Sequence, residues 1–69
     1  MAVQKAVELT GTGASVEEAV SEALDRASLS LEGITAFDVK HVSGEVGEVG
    51  VTYRVELRVW FTLLDRMHG

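Results

Sequence analysis

The side chains able to do chemistry in this chain are few and widely spaced. Arg54, Glu56 and Arg58 alternate with apolar residues and lead up to the single tryptophan, Trp60. Asp38 and His41 stand near the middle, with Glu45 and Glu48 in a glycine-rich stretch just after them. Cysteine is absent, and the two histidines, His41 and His68, are far apart, so a Cys/His zinc site is excluded. Nucleophilic catalysis needs a hydroxyl or thiol with a base and an orienting acid, and two peripheral histidines do not assemble one. Asp38 and Glu56 could pair as carboxylates across two strands, but the sequence fixes no separation between them. An enzyme is therefore not expected. Recognition is what remains: guanidinium groups that grip oxyanions, carboxylates that hold a cation such as calcium, and an indole that packs against a flat ring.

Each of these groups also has a plainer reading. Arg54, Glu56 and Arg58 suit ion pairs across strands or between subunits, and Trp60 among them suits an interface anchor as well as a ligand platform. Asp38, Glu45 and Glu48 suit a solvated rim as well as an oxygen-ligand cation site built by symmetry. Their spacing is not that of an EF-hand. Gly11-Thr12-Gly13 ahead of a helix suits a turn better than an anion cradle, because Glu17 and Glu18 already supply negative charge there.

Composition narrows the partners. The formal net charge is −5 and the six Lys and Arg residues are scattered, so there is no basic stripe for nucleic acid. No apolar run is long enough to span a bilayer, and the start, Met1-Ala2-Val3-Gln4-Lys5, lacks the apolar core of a signal peptide. The expectation is a cytoplasmic protein without a membrane partner. At 69 residues the chain makes one domain, residues 1–69. A domain of this size buries only about 60% of the surface of its unfolded chain and needs disulfides, a metal or partner subunits. With cysteine absent, a homo-oligomer is expected.

The elements that must position these residues follow in order. Val3 to Thr10 reads as a strand with Val3, Val7 and Leu9 on one face, ended by Gly11-Thr12-Gly13. Ser15 and Glu18 have capping-box spacing. From Val16 to about Leu31, Val16, Ala19, Val20, Ala23, Leu24, Ala27 and Leu31 form one apolar helical stripe, with Gly33 as the stop. Its alanines let the helix lie close against a sheet. A second strand is expected from about Ile34 to Ser43, with Phe37, Val39 and His41 on one face and Ala36, Asp38, Lys40 and Val42 on the other. Gly44 to Gly50 reads as the connection of a hairpin. From Val51 to about Leu64 the alternation has no miss: Tyr53, Val55, Leu57, Val59, Phe61 and Leu63 against Thr52, Arg54, Glu56, Arg58, Trp60 and Thr62.

The fold class is α+β in the order β-α-β-β, with the helix covering one face of a three-stranded antiparallel sheet. The other face presents Ala6, Ala36, Val42, Trp60 and Leu64 among charges, the composition of an interface with an aromatic anchor. The last strand, longer than the first, is expected to leave an unpaired edge for a neighbouring subunit.

The element order and several local strings resemble the dodecin family of small flavin-binding proteins. They are Val7-Glu8-Leu9-Thr10-Gly11-Thr12, Glu18-Ala19-Val20 with Ala27, Phe37-Asp38-Val39, and Thr52 to Phe61. The resemblance runs from about Val3 to Leu64. It implies a curved sheet wrapped around one helix, and twelve subunits in a hollow shell that sequesters flavins, FMN or riboflavin, stacked on a tryptophan. Some family members without that tryptophan are associated with calcium. The candidate ligand positions are Ala36, Asp38, Ser43, Arg54, Glu56 and Trp60, of which the resemblance supplies Ala36, Ser43 and Arg54. Ala36 stands where the family carries its stacking tryptophan, Arg54 where it carries a glutamine, and Ser43 where a basic residue is frequent. Aromatic stacking contributes about 1–3 kcal/mol per ring, so an alanine there weakens binding about ten- to a hundredfold. Trp60 offers an exchange, large for small, if the hairpin sets residue 36 opposite residue 58 or 60. Two functions follow: storage of a flavin or a related aromatic cofactor, or a flavin-free calcium-binding or structural assembly whose cation ligands are Asp38, Glu45 and Glu48.

Overall fold

The computed structural model describes residues 2–64; His68 lies outside them. Strand β1 (Ala2–Gly13) is followed by helix α1 (Val16–Ser28) and by strands β2 (Ile34–Val46) and β3 (Val51–Leu64). The sheet order is β1-β3-β2, with both pairings antiparallel. The long alternating strand is thus the central one, paired with β1 from Ala2↔Leu64 to Gly13↔Tyr53 and with β2 from Ile34↔Phe61 to Val46↔Val51. The expected overhang of the last strand does not exist. The free edges are those of β1 and β2.

The helix starts as its sequence requires. The Ser15 hydroxyl accepts from the Glu18 backbone N–H at 3.1 Å. The Glu18 carboxylate accepts from the N–H of Ala14, one residue beyond the usual capping-box partner, at 3.0 Å. Glu17 and Glu18 stand in the first turn and Arg26 in the last, as the helix dipole favours. The helix ends at Ser28, three residues before the end of its apolar stripe, and Leu31 folds back to donate to the Ala27 carbonyl. Gly33, at φ +68°, is not the helix stop: its carbonyl accepts from the Thr62 N–H as the chain turns into β2.

Ala19, Ala23 and Ala27 are buried against the sheet, and the two alanines Ala19 and Ala23 form the core with Val55, Leu57 and Val59. The close approach explains a segment that reads as a turn in the sequence. Gly11 and Gly13 belong to β1 and lie under the helix. A methyl group at Gly11 would stand 2.1 Å from the Ala19 carbonyl oxygen and 2.8 Å from the Ala23 methyl. One at Gly13 would meet the Ala19 nitrogen at 2.8 Å. Arg26 and Glu22 pair with each other and fasten the helix to the same strand: Arg26 donates to the Thr10 carbonyl, and Glu22 accepts from the Thr12 N–H.

Two further expectations are corrected in β2. The strand continues to Val46, so the turn is only Gly47 to Gly50, closed by the Gly47 N–H donating to the Gly50 carbonyl at 2.8 Å. Gly50 adopts φ +154°, a backbone conformation that suits glycine. The register also shifts between Val39 and His41, where Lys40 is an extra residue. Such a bulge exchanges the faces of everything beyond it. His41 therefore joins Ala36 and Asp38 on the face away from the helix, while Val42 joins Phe37 and Val39 on the helix side. The helix packs on β1 and β3 and leaves that side of β2 uncovered: Phe37, Val39 and Val42 remain 42%, 44% and 43% exposed.

Candidate functional site

The outer face of the sheet is built in rows across three strands. The register places Ala36, Trp60 and Ala6 in one row and Asp38, Arg58 and Glu8 in the next. His41, Glu56 and Thr10 follow, then Ser43, Arg54 and Thr12. Ala36 and Trp60 are opposite each other, as the proposed exchange of large for small requires. All six expected ligand residues lie on β2 and β3 in this sequence of rows, with Glu56 between the Arg58 and Arg54 rows.

Trp60 is half-buried, between Ala36 and Ala6 in its row. Its flanking neighbours are two methyl groups, so the indole has no bulky side chain beside it. Its Nε1–H donates to Oδ2 of Asp38, one row along, at 2.8 Å. That hydrogen bond to a carboxylate belongs to the stronger, charge-assisted class and sets the orientation of the ring. Arg58 is held separately, donating to Glu8 at 2.8 Å across β1. Both partners of that pair are substantially exposed, so its contribution is at most about 1 kcal/mol. His41 is exposed opposite Glu56, on an edge strand rather than beneath the sheet.

The expected cation ligands are not brought together in one chain. Asp38 is engaged by Trp60, whereas Glu45 and Glu48 line an open cleft of about 420 Å³ around the hairpin turn. Among the described residues no group of three or more His, Asp or Glu side chains is placed to hold a metal ion. A second cleft, about 290 Å³, opens at the Arg54 row between Thr12, Ser43, Glu45, Thr52 and Arg54. The Asp38 partnership with Trp60 is the feature that sequence reasoning missed. Its signal was the placement of residues 38 and 60 on neighbouring rows of one face, which is available only once the hairpin register is known.

Among the described residues no helix is long and apolar enough to cross a membrane. A family model described as dodecin matches residues 3–64. The dodecin of Thermus thermophilus is 44% identical over 63 residues, covering 88% of this chain and 91% of that protein. The crystal structure of an arginine-to-alanine mutant of the T. thermophilus protein covers 96% of this chain and all of its own, at TM-score 0.88 and 41% identity. A Mycobacterium tuberculosis protein, described as a calcium dodecin and calcium-chelating antigen with a novel calcium-binding site, is similar at TM-score 0.77 and 32% identity. It covers 97% of this chain and 99% of its own. With the β-α-β-β architecture and the sheet order in place, these matches have one reading: the chain belongs to the dodecin family.

Proposed function

We propose that this chain is one subunit of a homo-oligomeric shell, a dodecamer by family resemblance, that sequesters a small flat aromatic ligand of the flavin type and does not turn it over. The observation that carries the ligand reading is the indole of Trp60, oriented by Asp38 and flanked by Ala36 and Ala6. The stacking tryptophan that family resemblance places at position 36 has a counterpart in the same row, one strand over. Strands are about 4.8 Å apart, so the aromatic wall is displaced by roughly the width of one strand. A flat ring fits against an indole whose neighbours are methyl groups. FMN and riboflavin are the ligands to test first.

Assembly is supported by what one subunit leaves open. Phe37, Val39, Val42 and Val51 form an uncovered apolar surface on the helix side of the sheet, and Val46 and Val49 at the hairpin are 86% and 103% exposed. A domain of this size seldom supports such a surface alone. The absence of turnover is supported by chemistry: no described hydroxyl is paired with a base, and on the outer face Arg58 is held by Glu8 and Asp38 by Trp60.

The calcium reading rests on the calcium-chelating relative and on Asp38, Glu45 and Glu48. Because these carboxylates lie apart in one chain, a calcium site would draw oxygens from more than one subunit. Titration of the assembled protein into riboflavin and FMN, followed by flavin fluorescence, tests the main reading. Saturable quenching at no more than about one flavin per subunit is expected. Failure to quench at tens of micromolar protein would overturn it and turn the search to calcium, by calorimetry with and without chelator.

A further inference from the structure

Along the outer face two polar groups of β3 are paired with neighbours, while Glu56 and Arg54, in adjacent rows, have no ion-pair partner among the described residues. Trp60 donates to Asp38, and Arg58 to Glu8. On the helix, Arg26 is paired with Glu22. Arg54 alone of these three arginines has no carboxylate partner among the described residues. Its row partners are Thr12 on one side and Ser43 on the other, and Thr52 precedes it by two on the same face. None of the three hydroxyls is committed to a described hydrogen-bond partner. The result is an open cleft of about 290 Å³ in which a fork of guanidinium donors stands between hydroxyl donors.

We propose that this cleft is an oxyanion site that takes a phosphoryl group. Guanidinium matches two oxygens of a phosphate at once, and hydroxyls on both flanking strands can donate to the remaining oxygens. A carboxylate has two oxygens and uses only part of such a set. Six residues of extended strand separate Arg54 from Trp60, about 20 Å, so the site is distinct from the aromatic wall of the same subunit. It stands whether or not the indole holds a flavin. Glu45 lies on the rim of the cleft and opposes an anion, which sets a limit on affinity and gives the site a built-in control.

The test is calorimetric titration of inorganic pyrophosphate into the assembled protein at low salt. Saturable binding of up to one pyrophosphate per subunit is expected, weakened by added salt. Arg54→Ala should reduce the affinity about tenfold or more, the scale of a lost charged hydrogen bond. Arg54→Lys, which keeps the charge but not the fork, should fall between. Glu45→Gln should tighten binding severalfold. No binding at millimolar pyrophosphate, an unchanged affinity in Arg54→Ala, or acetate bound as well as pyrophosphate would each overturn the assignment.

Discussion

Trp60 draws its orientation from a single acceptor, which makes Asp38 a positioning residue for any ring that stacks there. Asp38→Ala removes the acceptor and leaves the Nε1–H to water. The expected outcome is a severalfold loss of riboflavin affinity with assembly intact, together with a shift in the tryptophan emission of the ligand-free protein. Trp60→Gly removes the wall itself and should cost about ten- to a hundredfold in affinity, the range for one stacked ring. An unchanged affinity in an intact assembly would leave Trp60 as an interface anchor only. At this scale the sequence was legible for residue types and, through the hairpin, for the opposition of Ala36 and Trp60. It was silent on Asp38, whose partner depends on the tilt of a side chain toward the next row.

At the scale of elements, small residues decide how closely the helix approaches the sheet. Gly11→Ala forces a methyl group into the Ala19 carbonyl, and something in the backbone must move. A destabilisation of about 1–3 kcal/mol is expected, read as a lowered midpoint in thermal unfolding. Gly44→Ala is the matched control: its added methyl would come no nearer than 3.4 Å to its neighbours, and the midpoint should hardly move. The unbroken alternation of β3, the alanine stripe of α1 and the Ser15 cap were all readable, because each is a periodic or local signal. Gly11-Thr12-Gly13 was not, since glycine signals a turn and a close contact with the same letter. Lys40 was not readable either: one extra residue leaves the composition of a strand untouched while reversing the faces of His41 and Val42. Deleting Lys40 should remove the bulge and leave His41 and Val42 on the faces they now occupy, so assembly should survive, as size-exclusion chromatography with light scattering would show.

For the whole molecule, the uneven cover of the sheet is what matters. A helix that packs on β1 and β3 cannot also shield β2, so the subunit carries its unfinished surface on one edge. Phe37→Asp places a charge within that surface and should dissociate the oligomer in sedimentation experiments. Dissociated subunits should also unfold at lower temperature, because association and stability are linked by mass action. An expectation of partners was legible from its length and lack of cysteine. Which surface they cover was not, because edge and centre are properties of strand order, and nothing in the alternation of Val51 to Leu64 states that both its neighbours will be strands.

The central place of β3 also bears on how the chain reaches this state. β1 is made first, yet it pairs only with β3, and its opening residue Ala2 waits for Leu64. The hairpin of β2 and β3 closes over a four-residue turn and can form locally, whereas β1 must be recruited across almost the whole described chain. Non-local closure of this kind slows folding relative to helical domains of similar length. The expected order is hairpin first and first strand last, with the helix docking as β1 arrives. During synthesis the earliest strand therefore stays unpaired until the latest one emerges, and its exposed edge is at that stage a place where two nascent chains can meet.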